Sequence, residues 1–128
     1  MILGVGTDLV RVARMERGLA RFGNRLAVRL LAAGELEAFG RAPVPARFLA
    51  KRFAAKEALV KALGTGFSGG IGPRDIAVRH DARGRPWLYL EGAARRCLPD
   101  SACRIHLSIT DEAEYAVAFV VVERTTGG

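Results

Sequence analysis

Soft ligands and reactive thiols are scarce in this 128-residue chain, which has two cysteines and two histidines. Cys97 and Cys103 lie six positions apart with no paired histidines around them, which excludes a zinc-finger spacing and a disulfide framework and predicts two reduced thiols. Long hydrophobic runs are also missing. No stretch approaches the roughly 20 apolar residues that span a bilayer, and the opening MILGVGTDLV lacks the basic head and small-residue cleavage site of a secretory signal. A soluble cytoplasmic protein with no membrane association is expected. Low-complexity tracts and internal repeats are absent, and disorder is excluded because half of the residues are hydrophobic and only 26% are charged. The length suits a single domain, residues 1–128.

Lysine is the next scarcity, and it is informative. The formal charge is +7, yet 17 of the 20 basic residues are arginine. The three lysines, Lys51, Lys56 and Lys61, fall within eleven residues, which points to a chemical use for lysine there.

Hydrophobic periodicity gives the organisation. Residues 2–10 alternate apolar and small residues and read as a strand that delivers Asp8 to its end. From Arg11 to about Leu31 the period changes: Val12, Met15, Leu19, Phe22 and Leu26 form the stripe of an amphipathic helix, broken near Gly23. Arg11, Arg14, Arg17, Arg21 and Arg25 line its other side. Glu35 to Phe39 supplies a further helical turn, ended by Pro43 and Pro45. Residues 46–63 contain neither glycine nor proline and are rich in alanine, predicting the longest helix. The loop at 64–72 is too rich in glycine to continue it. Segments 75–80 and 87–90 read as one hairpin, and 103–110 and 114–123 as another about Asp111 and Glu112. TTGG at the end is expected to fray. The fold class is therefore α+β, one long buried helix packed on a small antiparallel sheet.

The chemistry concentrates on that helix. On a helical wheel Phe48, Leu49, Phe53, Leu59, Val60 and Leu63 share one broad arc, with Arg52 and Lys56 in its middle. Two cations on an apolar face need an anion, from the protein or from a ligand, unless their heads reach water. Glu57 and Lys61, also four apart, lie on another face beside Ala50 and Ala54. The ordinary reading of that pair is an ion pair worth a few tenths of a kcal/mol. The small neighbours leave room for an approaching group, however, and the bare amides of the glycine loop could meet phosphate. A Walker-type loop is excluded, since the helix precedes the glycines and no Gly-Lys-Ser or Gly-Lys-Thr follows. Asp8 and Glu57 are the candidate metal ligands, because magnesium on phosphates needs only one or two carboxylates. His106, between Ile105 and Leu107 on a strand, is one of two imidazoles available to acid–base chemistry.

Leu3 to Asp8, then RFAAKEALVKALGTG at 52–66, GRP at 84–86 and HLSIT at 106–110 resemble, in order and over nearly the whole chain, the holo-acyl-carrier-protein synthases, the small bacterial class of phosphopantetheinyl transferases. The resemblance implies transfer of the 4′-phosphopantetheine arm of coenzyme A to a serine of an acidic apo-acyl carrier protein, releasing 3′,5′-ADP. It implies Mg2+ dependence and a homotrimer with active sites between subunits, working in fatty-acid or polyketide biosynthesis. Asp8 and Glu57 would hold the metal and Lys61 would contact the diphosphate. Arg52, Lys56, Gly64, Thr65, Gly66, Arg85, Pro86 and His106 match regions that line the coenzyme A site. The helix at 11–25 would dock the carrier protein through Arg11, Arg14, Arg21 and Arg25, with Met15 and Phe22 as apolar anchors. Glu57, a metal-activated water or His106 would act as base. Asp111 stands where many members have a histidine, so no role of that histidine transfers, and the stretch at 40–46 is divergent. Phe53 satisfies the aromatic position ahead of the central block.

Two rivals are weaker. A nucleic-acid-binding module would use the +7 charge, but it leaves Arg52, Lys56, Asp8 and Glu57 without a purpose and lacks an aromatic stacking platform on the sheet. A coenzyme A-binding protein without catalysis would bind the cofactor and turn over no carrier.

Overall fold

The computed structural model describes residues 1–99 and 102–125. Strand β1 (Ile2–Arg11) leads into helix α1 (Val12–Phe22), and Gly23 at φ 61° separates it from α2 (Asn24–Leu30). A 3-10 turn (Ala33–Glu35) and α3 (Leu36–Gly40) precede the long helix α4 (Pro45–Leu63). Pro45 opens α4, where the missing amide is no loss; it does not end the preceding turn alone. A second 3-10 turn (Pro73–Asp75) is followed by β2 (Ile76–His80), β3 (Pro86–Leu90), α5 (Gly92–Arg96), β4 (Cys103–Asp111) and β5 (Tyr115–Arg124). The short helix α5 carries too few apolar positions to show a period, and the sequence reading passes over it.

The strands form two sheets. One is three-stranded and antiparallel in the order β1-β5-β4, and the β2–β3 hairpin stands as a separate ribbon. Asp8 lies inside β1, three positions before its last residue, Arg11, and not at its end. Beyond the register shift between Ile2 and Gly4, even-numbered residues of β1 face inward: Gly6, Asp8 and Val10 oppose Val120, Ala118 and Ala116 of β5. The core joins that inner face to α4, whose Leu49, Ala50, Phe53, Ala54, Ala58, Leu59 and Val60 are all buried.

Close packing of β1 on α4 explains the small residues of both. A Cβ on Gly4 would sit 1.8 Å from the Ala62 carbonyl oxygen, and one on Gly6 would sit 1.9 Å from that of Ala58. The alanine face of α4 is therefore filled by a strand, and the sequence expectation that it leaves room for an incoming group is corrected. The helix stops at Gly64, whose φ of 77° is a left-handed conformation that suits glycine.

Both cysteines are free thiols. Thr125 is anchored to the Ala102 carbonyl through its amide at 2.9 Å and its hydroxyl at 2.7 Å, so the expected fraying does not begin there; residues 126–128 lie outside the described residues. Among the described residues, no helix is long and apolar enough to cross a membrane.

Candidate active site

Where β1 crosses α4, three sequence candidates meet. Lys61 Nζ donates to Asp8 Oδ1 at 2.8 Å and to the Thr7 carbonyl at 3.1 Å. Lys61 is half exposed, so the pair is open to a ligand. Glu57 lies one turn earlier on the same face of α4 and is partly buried. Its carboxyl is pushed above the usual range, first by burial and then by the charge of Asp8, with Lys61 and Arg14 pulling the other way. The Lys61 ammonium is held above its ordinary value chiefly by its hydrogen bond to Asp8. Two carboxylates and one ammonium are thus gathered at the crossing of β1 and α4.

Arg14 belongs to this site as well as to the basic face of α1. Its charge reaches Glu57, and its guanidinium lies 5.6 Å from the centre of the Phe53 ring. The sequence reading gives it only a docking role. Arg11 bonds the Tyr115 hydroxyl at 3.3 Å, and Arg21 stacks on Phe22, which is 44% exposed. Arg25 is exposed, but on α2. Met15 is only 4% exposed, so it packs in the core and is not the surface anchor expected from its place on the stripe.

The anion required by Arg52 and Lys56 comes from the protein. Glu35, 2% exposed, accepts from Lys56 Nζ at 2.5 Å through Oε1 and from Arg52 Nη1 at 3.0 Å through Oε2. Lys56 is 0% exposed and spends its other donors on the Leu30 and Pro73 carbonyls. Burial pulls its ammonium below the ordinary value while Glu35 opposes the shift. Lys56 therefore cannot touch a ligand in this fold, which corrects its assignment to the coenzyme A site. Glu35 is the residue that the sequence reading missed; the unmet need of two cations for an anion was its signal.

The glycine loop is also less available than its composition implies. The amides of Gly64, Thr65 and Gly66 turn back to close α4, Gly64 onto the Lys61 carbonyl at 3.1 Å and the other two onto that of Val60 at 3.1 and 3.2 Å. These three amides are engaged at the end of the helix and are not bare as the sequence reading has them. Thr65 Oγ1 is buried with no hydrogen-bond partner among the described residues, while Phe67 stacks on Phe53.

Arg85 and Pro86 sit at the mouth of the hairpin, whose turn is held by Asp81 Oδ1 accepting from the amides of Arg83 and Arg85 at 2.8 and 2.9 Å. Next to it, burial and the charges of Arg52 and Lys51 lower the proton affinity of His80, which marks a basic corner.

His106 stands on the other side of the sheet. It opposes Val121, which opposes Val5, so it shares the outer face, whereas Asp8 shares the inner one. His106 Nε2 pairs with Glu123 Oε1 at 2.9 Å. One chain does not bring His106 to Asp8, Glu57 and Lys61. That outer face carries an exposed apolar cluster, Val5, Leu9 and Phe119 at 54, 60 and 45% exposure around Val117 and Val121, with Thr7 and Ser108 beside Phe119.

Residues 4–120 match the family model of the 4′-phosphopantetheinyl transferase superfamily. The chain is 57% identical over 125 residues to a holo-[acyl-carrier-protein] synthase of Alkalilimnicola ehrlichii, covering 96% of this chain and 98% of that protein. The crystal structure of the holo-[acyl-carrier-protein] synthase from Neisseria meningitidis superposes with a TM-score of 0.89 at 44% identity, over 96% of this chain and 99% of that one. A Bacillus anthracis holo-(acyl-carrier-protein) synthase in complex with CoA (3′,5′-ADP) gives 0.80 at 36% identity, over 98 and 99%.

Proposed function

This chain belongs to the 4′-phosphopantetheinyl transferase superfamily and is an enzyme of its holo-acyl-carrier-protein synthase group, and we propose that it carries the 4′-phosphopantetheine arm from coenzyme A to a serine of an acidic apo-acyl carrier protein in a Mg2+-dependent reaction that releases 3′,5′-ADP. The observation that carries this reading is the meeting of Asp8, Glu57 and Lys61 at the crossing of β1 and α4. The B. anthracis relative with CoA supports the cosubstrate.

The donor set fits magnesium. Asp8 and Glu57 offer hard oxygen ligands, and among the described residues no group of three His, Cys, Asp or Glu side chains gathers to hold a softer ion. Bound there, Mg2+ would polarise the diphosphate of coenzyme A and offset charge on the leaving 3′,5′-ADP. Lys61 would supply a second positive charge to the diphosphate by leaving Asp8. The nucleophilic hydroxyl belongs to the carrier. Its proton would pass to Glu57, to a metal-activated water or to a His106.

A single chain is incomplete in this reading, because His106 and the metal site lie on opposite faces of the sheet. The exposed apolar outer face supports a homotrimer in which the His106 of one copy reaches the site of another. Phe119→Lys, which puts a charge at the centre of that face, is expected to yield a folded monomer in sedimentation analysis with transfer reduced more than about 10-fold. A trimeric, fully active variant would place the interface elsewhere.

The carrier would dock on α1 through Arg11, Arg14 and Arg21, with Arg25 beyond the bend and Phe22 as the exposed apolar anchor. Arg21→Glu tests this better than Arg14→Glu, because the charge of Arg14 also reaches Glu57. It is expected to raise the carrier KM about 10-fold with little change in the KM for coenzyme A, and to weaken the salt dependence. Equal changes in both would refute docking there.

Intact-mass spectrometry of an apo-acyl carrier protein incubated with the enzyme, coenzyme A and Mg2+, beside an EDTA control, tests the whole reading. A metal-dependent gain of one phosphopantetheine is expected. No gain from a folded sample that binds coenzyme A would favour binding without catalysis.

A further inference from the structure

Glu35 joins more of the chain than any stabilising role for one helix turn requires. Its Oε1 accepts from Lys56 and from the Ala32 amide at 2.9 Å, and its Oε2 accepts from Arg52 and from the Val78 amide at 3.0 Å. Arg52 in turn donates to the Val78 carbonyl at 2.6 Å. Both backbone groups on the free edge of β2 at Val78 are thus met by a carboxylate and a guanidinium, as a neighbouring strand would meet them. Through Lys56 the same carboxylate fixes the rotation of α4 and holds the ends of α2 and of the Pro73 turn.

The parts so joined are α4, which carries Glu57 and Lys61, and the hairpin, which carries Arg85 and Pro86, residues that the family resemblance assigns to the coenzyme A site. Lys56 precedes Glu57 on α4 and lies five residues before Lys61. Val78 lies two residues before His80, which pairs with Pro86, next to Arg85. Apolar contacts of Ile76, Val78, Leu88 and Leu90 with the core hold the hairpin down but are non-directional, so they leave it free to slide. Directional bonds to a buried carboxylate remove that freedom.

We propose that Glu35 is a positioning residue of the coenzyme A site, bolting the β2–β3 hairpin to α4 so that Arg85 and Pro86 stand at a fixed separation from Glu57 and Lys61. This rests on the reading of the chain as a coenzyme A-dependent transferase.

The test is the double variant Glu35→Met with Lys56→Met, which removes carboxylate and ammonium together so that no buried ammonium is stranded, while Arg52, 12% exposed, keeps its bond to the Val78 carbonyl. Fold is followed by circular dichroism, coenzyme A affinity by calorimetry, and kinetics by intact mass. A folded variant is expected to bind coenzyme A at least about 10-fold more weakly, with its KM raised in step, kcat changed much less and the carrier KM unmoved. Wild-type affinity for coenzyme A, or a loss confined to kcat, would overturn the proposal. Should the variant not fold, hydrogen exchange of the unmodified enzyme decides: the Val78 amide is expected to exchange as slowly as that of Leu59 in the core of α4. Exchange orders of magnitude faster at Val78 would show a hairpin that opens independently, and the bolt would be refuted. A wild-type enzyme that neither binds coenzyme A nor transfers from it would instead sink the activity reading, an outcome separate from the exchange result.

Discussion

Glu57→Gln is expected to lower phosphopantetheine transfer by about 10³-fold or more while leaving a protein that melts at or above the wild-type temperature. The two effects share one origin. Folding partly withdraws the Glu57 carboxylate from water and sets it near Asp8, so its proton affinity rises. A carboxylate with a raised folded-state pKa disfavours the fold once ionised: the cost is absent below the ordinary glutamate range and sets in as pH rises through the folded value. Glutamine keeps the shape without the charge. The gain in stability should therefore show at neutral pH and vanish near pH 4. Calorimetry in EDTA at both pH values, with transfer rates in Mg2+, checks this. A variant that melts well below wild type would mean that Glu57 is stabilised by its neighbours, and normal turnover would remove it from the chemistry.

Gly6→Ala should be, with Gly4→Ala, among the most damaging single-methyl changes in the chain. The added Cβ would lie 1.9 Å from the Ala58 carbonyl oxygen and 2.7 Å from the Ala62 amide nitrogen, both backbone atoms of α4 that no rotamer change can move. Strand and helix must part by about an ångström or more. A loss of about 3 kcal/mol or more is expected, at or beyond the upper end of ordinary overpacking, against a total stability for such domains of roughly 5–15 kcal/mol. Gly6→Val should give no folded protein. Because Asp8 follows Gly6 by two residues and meets Lys61 across the same contact, any folded Gly6→Ala protein should also lose most of its activity. Urea unfolding and transfer assays of that variant read both effects. Wild-type stability would show that β1 does not pack this closely.

The sheet and helix content was legible because it is local. An alternation of two residues, a stripe every three or four, and a run from Ala46 to Leu63 without glycine or proline each act over one or two turns of chain. The division into one sheet and a separate hairpin was not legible, since the pattern of a strand does not name its neighbour. The ordered blocks around Asp8, Glu57 and Lys61 also pointed to the family that the comparison shows.

What tertiary structure decided is which way each group faces and what meets it. The sequence showed that Arg52 and Lys56 needed an anion; only the fold could say that it is Glu35, 17 and 21 positions away along the chain. Ala50 and Ala54 suggested room on one face of α4, and further along the helix, at Ala58 and Ala62, the approaching body proved to be glycines of β1 from the other end of the sequence. Met15 and Phe22 share one stripe in sequence, yet one is buried and the other exposed, because the stripe runs past the edge of the core. The register that turns Asp8 inward and His106 outward follows from the pairing of β1, β5 and β4. The sequence by itself determined the element types, the long helix and the residues with chemical potential, since these follow from short-range periodicity and composition. Burial, charge partners and the separation of His106 from the carboxylates depend on contacts between distant segments, which exist only once the chain has closed on itself.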